Sequence, residues 1–177
     1  NQTHYTNSQG ILEFREAIAE TTECDLGYRP HLDQILVCPA NAIIDFTIRC
    51  LVNPGEEVIF PDPGFPTYIS AMEYNRIVPI GVQLKEENEF RMNPRDISKK
   101  ISTKTRLIII NSPQNPTGAV MSEDEIQDVY KIAEEYDLYL LSDEVYSKLI
   151  YDKLHHSPTI FDQCRERTIL LKSFSKA

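Results

Sequence analysis

Apolar and polar positions along the chain follow two periods in alternation, one typical of strands and one of helices. Nearly continuous apolar runs at residues 107–110 and 138–141 are typical of strands that are covered on both faces. Between these runs, apolar residues recur at helical spacing, as at Ile126, Val129 and Ala133. Strands that alternate with helices predict a three-layer α/β/α fold around a mostly parallel sheet.

Turn and capping residues delimit the predicted elements. Asn93 followed by Pro94 provides a helix N-cap and a first-turn proline, and Ser122 with Glu125 forms a capping box. A further amphipathic helix follows Gly10. The predicted strands are 34–38, 57–60, 77–80, 107–110, 138–141 and 168–171, and helices are predicted over 41–52, over 67–74 and from residues 94 and 123. Without an internal repeat or linker, residues 1–177 are expected to form a single domain.

Composition narrows the class of protein. Hydrophobic residues make up 41% and charged residues 25% of the 177 residues, which is typical of a globular chain and excludes disordered and collagen-like classes. The formal charge of -9 argues against nucleic acid as a partner, and no apolar run reaches the length of a membrane span. The four cysteines are scattered without a CxxC pair, which favours a reducing, cytoplasmic location.

Unusual residues follow five of the predicted strands. Ligands of parallel α/β sheets bind beyond the carboxyl ends of the strands, so these residues are expected to meet at one edge. The segments concerned are 39–41, 61–66, 111–118, 142–146 and 172–176.

Three of these segments carry candidate chemistry. Asp143 directly follows a buried strand, where a carboxylate is costly unless it is paired, although it could instead cap a helix. Residues 111–118 form either a rigid turn or a preorganised polar site. Lys176 is either solvated or a desolvated amine suited to a Schiff base.

Taken together, the motifs resemble the class I/II aminotransferases, which are pyridoxal-phosphate enzymes of fold type I, the aspartate aminotransferase-like superfamily. The resemblance covers the whole chain and implies the large, cofactor-binding domain of that fold. Its motifs are Tyr-x4-Gly from Tyr5, Pro-Gly-x-x-Val from Pro54, Asn-Pro-Thr-Gly from Asn115, Ser-Asp-Glu-x-Tyr from Ser142 and Ser-x-Ser-Lys from Ser173.

The resemblance implies the catalytic residues. Lys176 matches the lysine that forms a Schiff base with pyridoxal 5'-phosphate and later moves the α-proton. Asp143 matches the carboxylate that faces the pyridine nitrogen and keeps it protonated. Tyr146 and Asn115 match the two groups that hydrogen-bond the phenolate oxygen of the ring. The Asn115–Pro116 bond is expected to be cis, with these side chains converging on one point.

Other cofactor ligands also follow from the resemblance. Phe65 matches the aromatic residue that stacks on the ring, and Ser173 matches a phosphate ligand. Ala40 and Asn41 match the backbone amides that receive the phosphate at a helix N-terminus. Tyr5 matches a tyrosine that reaches the cofactor phosphate of the partner subunit, which implies a homodimer.

The sequence departs from the family pattern in three places. Either Pro39 or Ala40 stands where the phosphate loop of the family has glycine, so the register there is open. The Gly-Trp-Arg segment that follows the lysine in the family and a distal substrate-binding arginine are both absent, as is the starting Met. Residues 1–177 are therefore expected to be a fragment of the large domain, without the small domain or the C-terminal part.

The activity that the resemblance implies is transfer of an amino group from an L-amino acid to a 2-oxo acid. A carbon–sulfur lyase or a cyclopropane-forming synthase of the same superfamily is an alternative, as is a cofactor-binding regulator or an inactive fragment. No metal site is expected, because His155 and His156 lie in a polar loop without a carboxylate or cysteine at ligand spacing.

Overall fold

The central element of the fold is a sheet of five strands, seen in a computed structural model that describes residues 5–176. Every pair of neighbouring strands is parallel. The strands are β1 (Glu57–Asp62), β2 (Val78–Gln83), β3 (Thr105–Asn111), β4 (Tyr139–Asp143) and β5 (Thr168–Leu171). They lie in the order β2-β1-β3-β4-β5, so the most apolar strand, β3, is central.

Helices precede or connect the strands, as the sequence predicted. The predicted caps are confirmed, because the Asn93 side chain accepts from the Arg95 N–H and Ser122 with Glu125 forms the capping box. The helices are α1 (Leu12–Leu26), α2 (Ala40–Leu51), α3 (Pro66–Tyr74), α4 (Pro94–Ser98), α5 (Glu123–Glu135) and α6 (Thr159–Asp162), with single 3₁₀ turns at Leu32–Gln34 and Glu86–Asn88.

The described chain divides into two compact units, one up to Pro39 and one from Ala40. In the second unit the sheet has apolar side chains on both faces. On β3, Leu107 and Ile109 pack with side chains from α2 and α3, whereas Ile108 and Ile110 pack with side chains from α5. The expected three-layer α/β/α architecture is therefore confirmed.

The first unit contains α1 and the loop that follows it. Arg15 is buried there, and its Nη1 donates to Gln9 Oε1 at 3.1 Å and to the carbonyl of Leu32 at 3.2 Å. The strand predicted at residues 34–38 was wrong, because none of these described residues belongs to a strand. Leu36 is exposed, and the Val37 N–H donates to the Gln9 carbonyl rather than to a strand ladder.

No helix within residues 5–176 combines the length and the apolar character that crossing a membrane requires.

We predict that Ile109→Ala destabilises the protein by about 2–5 kcal/mol, because Ile109 is fully buried in the central strand and its loss leaves a cavity. Ile160→Ala is the matched control: this side chain is 46% exposed, and its truncation is expected to change stability by no more than about 0.5 kcal/mol. Urea unfolding of the two variants and the wild type measures both values, and equal losses would contradict the packing described above.

Candidate active site

Three strand ends lie level with one another at one edge of the sheet. Asn111, the last residue of β3, pairs with Asp143 of β4, and Asp143 pairs with Leu171 of β5. The Ser112 N–H continues the ladder by donating to the Asp143 carbonyl at 3.2 Å. The register of the parallel strands thus brings together segments that are far apart in the sequence.

A cavity of about 440 Å³ opens at this edge, within the range of about 300–1,000 Å³ that is typical of small-molecule sites. Its lining includes most of the residues that the sequence singled out. They are Ala40, Asn41, Phe65, Asn115, Asp143, Tyr146 and Lys176, together with Ile44, Asn111, Val145, Leu171 and Ser175. Asn115, Tyr146 and Asp143 therefore share one cavity, as expected.

Two predicted residues are not part of this lining. Ser173 is half-buried, and its Oγ lies 2.8 Å from the Oγ of Ser175, which does line the cavity. Tyr5 belongs to the first unit and its side chain is fully exposed. The roles assigned to both residues stay predictions.

Asp143 is the buried acid of the cavity, with 5% of its surface exposed. Its Oδ2 accepts a hydrogen bond of 2.5 Å from the Tyr68 hydroxyl, and its Oδ1 accepts from the Val145 N–H at 3.3 Å. Burial raises the pKa of Asp143 most strongly, and the nearby Glu144 charge raises it further, although the two hydrogen bonds oppose this shift. Both donors are neutral, so the hydrogen bonds leave the charge of the carboxylate uncompensated.

Tyr68 is a site residue that sequence reasoning missed. It is fully buried in α3, three residues after Phe65, and the two rings pack edge to face with centroids 5.8 Å apart. Burial and the neighbouring Asp143 charge raise the pKa of Tyr68 far above its ordinary value, so the hydroxyl remains a donor. The available signal was a tyrosine among the apolar residues of α3, because a buried hydroxyl requires a partner.

Asn111 organises the turn that follows β3. Its Nδ2 donates to the carbonyls of Pro113 at 3.1 Å and Asp143 at 3.0 Å, and its Oδ1 accepts from the Asn115 N–H at 2.7 Å. Asn111 is 4% exposed, and both ends of its amide are used within the protein. One side chain therefore fixes the position of Asn115 relative to the backbone of Asp143.

Gln114 completes the same turn. Its Nε2 donates to the Pro63 carbonyl at 2.8 Å, and its Oε1 accepts from the N–H and the hydroxyl of Thr117 at 2.8 and 2.7 Å. The Asn115–Pro116 bond is cis, which confirms that prediction. The dense run of polar residues and prolines is therefore a turn in which a side chain of the turn, that of Gln114, accepts a hydrogen bond from the turn's own backbone.

The N-terminus of α2 contributes backbone donors to the cavity. The helix begins at Ala40, directly after Pro39, and both Ala40 and Asn41 line the cavity. The first N–H groups of a helix have no intrahelical acceptor and carry the positive end of the helix dipole. This end of the cavity is therefore suited to an anion such as a phosphate group.

His155 has a carboxylate partner that its sequence spacing did not reveal. Its Nε2 lies 2.7 Å from Glu144 Oε2, although the two residues are eleven positions apart. Among residues 5–176, no three His, Cys, Asp or Glu side chains come together in a way that could hold a metal ion.

Comparison with known proteins identifies the family. The family model "Aminotransferase class I and II" matches residues 1–177, and the chain belongs to this family. An aspartate aminotransferase of Pyrococcus horikoshii is 38% identical over 175 residues, which cover 98% of this chain and 44% of the relative. Aromatic-amino-acid aminotransferase 2 of Thermococcus litoralis is 38% identical and is covered to 46%.

Solved structures agree with this assignment. The aromatic aminotransferase of Pyrococcus horikoshii OT3 superposes with a TM-score of 0.93 at 38% identity, covering 98% of this chain and 48% of that one. The aspartate aminotransferase of Thermus thermophilus with maleate gives a TM-score of 0.93 at 30% identity, with 98% and 45% covered. The fold is thus that of these aminotransferases over the matched residues, consistent with an incomplete α/β large domain, and the chain spans about half the length of these relatives.

We predict that Tyr68→Phe steepens the loss of stability with rising pH in the cofactor-free protein. The Tyr68 hydrogen bond lowers the pKa of Asp143, so its removal raises that pKa further above the ordinary value of about 3.9. A group whose pKa is raised on folding stabilises the native state at low pH, and this stability is lost as the pH rises through the raised pKa.

Urea unfolding between pH 4 and pH 8 measures the effect as the change in unfolding free energy with pH. Tyr130→Phe is the matched control, because Tyr130 is also buried but its ring packs on Phe161, with centroids 4.9 Å apart. Identical pH dependence in Tyr68→Phe and the wild type would show that the hydrogen bond does not influence Asp143.

Proposed function

We propose that this chain supplies the cofactor-binding site of a pyridoxal-phosphate-dependent aminotransferase, which transfers an amino group from an L-amino acid to a 2-oxo acid. The single observation that carries the proposal is the arrangement in one cavity of a buried carboxylate, Asp143, and an amine, Lys176. Family membership supports the reaction class. Named relatives act on aspartate and on aromatic amino acids, which supports an L-amino acid as donor.

The donor set of the cavity fits pyridoxal phosphate. A buried carboxylate whose hydrogen-bond donors within residues 5–176 are neutral suits a cationic ring nitrogen, because such a partner would compensate its charge. An amide at Asn115 and a phenol at Tyr146 suit the ring oxygen, and Phe65 offers an aromatic face. The N-terminus of α2 at Ala40 suits the phosphate.

When bound, pyridoxal phosphate supplies a ring that accepts the electron pair left on the substrate's α-carbon after deprotonation. Asp143 holds a proton on the ring nitrogen, and Tyr68 holds Asp143 in place. A protonated ring nitrogen would in turn lower the pKa of Asp143, because an opposite charge favours the ionised carboxylate. The buried acid is therefore expected to be ionised when the cofactor is present.

Lys176 has two functions in this proposal. Its Nζ would hold the cofactor covalently as a Schiff base, and the same amine, once free, would take up and pass on the α-proton of the substrate. Tyr146 and Asn115 orient the ring by hydrogen-bonding its oxygen, and Phe65 packs against the ring and excludes water from one face. These roles require that side chains from separate loops meet within one cavity. The lining of the cavity meets this requirement, which supports the roles as a set.

The phosphate end of the site is proposed to include the amides of Ala40 and Asn41, and Ser173. We extend the proposal to a homodimer in which Tyr5 of one subunit reaches the cofactor phosphate of the other. The Tyr5 side chain is completely exposed, which supports the proposal because it leaves this side chain available to another subunit.

The first test is the identity of the lysine that holds the cofactor. We expect borohydride treatment of the whole protein with pyridoxal phosphate to fix the cofactor to Lys176, as detected by peptide mass spectrometry. Lys176→Ala is expected to abolish the label, whereas Lys172→Ala retains it, because Lys176 lines the cavity and Lys172 does not. A label on Lys172, or none on the wild type, would refute the assignment.

A second test concerns the acid. Asp143→Ala is expected to leave the cofactor on Lys176 but to raise the barrier of the half-reaction with an amino acid by about 3–4 kcal/mol, which slows it about 160- to 900-fold. The loss falls on the rate constant at saturation, because Asp143 acts on the ring nitrogen during deprotonation. Asp128→Asn, an exposed acid on α5, is the control with unchanged rate. A wild-type rate in Asp143→Ala would remove Asp143 from the mechanism.

A further inference from the structure

A second acid, Glu144, is buried directly after Asp143. It is 1% exposed, and it is not among the residues that line the cavity. A carboxylate in such a position is costly unless hydrogen bonds compensate its charge. Glu144 belongs to the Ser-Asp-Glu-x-Tyr motif, but the proposed chemistry gives it no role.

Three side chains contact the Glu144 carboxylate. Its Oε1 accepts from Ser142 Oγ at 2.9 Å and from Ser157 Oγ at 2.5 Å, and its Oε2 lies 2.7 Å from His155 Nε2. Ser157 Oγ also lies 2.8 Å from the hydroxyl of Thr159, at the start of α6. The carboxylate therefore joins the end of β4 to the segment 155–159, more than ten residues further along.

His155 is suited to be a donor to this acid. Its side chain is 13% exposed, and with an ionised Glu144 the Nε2–H must be the donor. Among the described residues, Nδ1 is buried without a hydrogen-bond partner. A donating Nε2–H thus satisfies one oxygen of the Glu144 carboxylate by a hydrogen bond.

The backbone of Glu144 is anchored as firmly as its side chain. Its N–H donates to the Leu171 carbonyl at 2.9 Å, and its carbonyl accepts from the Ser147 N–H at 3.0 Å. Asp143 and Tyr146 flank this anchored residue and both line the cavity. Movement of Glu144 would therefore displace Asp143 and Tyr146, which are proposed to contact the ring nitrogen and the ring oxygen of the cofactor.

We infer that Glu144 and His155 are positioning residues, which hold the turn after β4 so that Asp143 and Tyr146 keep their places against the bound cofactor. The inference rests on the proposed function. Its physical basis is distance: a displacement of about 1 Å at a reacting centre can cost about a hundredfold in rate.

The test compares His155→Leu, which removes the donor to Glu144, with His155→Gln, whose amide can reach the same position. In the whole protein loaded with pyridoxal phosphate, we expect His155→Leu to lower the saturating half-reaction rate about tenfold or more, with a smaller change in KM. His155→Gln is expected to restore most of that rate. His156→Leu, the adjacent half-buried histidine, is the matched control with a wild-type rate.

A spectroscopic measurement separates positioning from stability. With cofactor labelled at the pyridine nitrogen, the ¹⁵N resonance reports the hydrogen bond to Asp143. We expect His155→Leu and Glu144→Gln to shift this resonance and His156→Leu to leave it unchanged. If Glu144→Gln does not fold, the His155 pair still decides the question.

The outcomes are distinguishable. A wild-type resonance and rate in His155→Leu would overturn the inference, even if its thermal stability falls, because the contacts would then be structural only. Failure of His155→Gln to restore the rate would also overturn it. If the wild type itself does not bind the cofactor through Lys176, the proposed function fails first, and the inference fails with it.

Discussion

The structure depends on the burial of a carboxylate at the end of a covered parallel strand. Asp143 can occupy that position because Tyr68 and the Val145 N–H donate to it, and because the neighbouring strands end level with it. Both donors are neutral, so the charge of the ionised acid is one that a cationic partner would balance. Such an acid is unfavourable as a purely structural element and useful as a binding element.

The polar residues around Asp143 form hydrogen bonds with one another that connect neighbouring loops. Asn111 connects the turn after β3 to the backbone of Asp143, and Gln114 connects the same turn to the loop after β1 through Pro63. Glu144 connects the end of β4 to the segment before α6. Asn111, which lines the cavity, and Gln114 and Glu144, which do not, thus hold the segments that carry the other cavity side chains. Such support is the usual requirement for a preorganised site.

Much of the fold could be predicted from periodicity and capping. Continuous apolar runs indicated β3 and β4, and the capping box at Ser122 indicated the start of α5, because both signals depend on neighbouring residues only. The prediction of a strand at residues 34–38 was wrong because it, too, depended on neighbouring residues only. A short apolar run has no period that distinguishes a strand from an irregular segment. The exposure of Leu36 and the hydrogen bond from Val37 to Gln9 show that this run is irregular.

The sequence by itself determined most of the elements, the resemblance to the family and most of the residues that line the cavity, among them Phe65 and Lys176. The tertiary structure alone decided which further side chains form hydrogen bonds with Asp143 and Glu144. Tyr68 lies 75 residues before Asp143, and His155 lies eleven residues after Glu144, so neither pair has a sequence spacing that reveals it. Sequence motifs reflect the backbone conformation that neighbouring residues require. A hydrogen bond between distant segments, in contrast, forms only when the register of the strands brings these segments together.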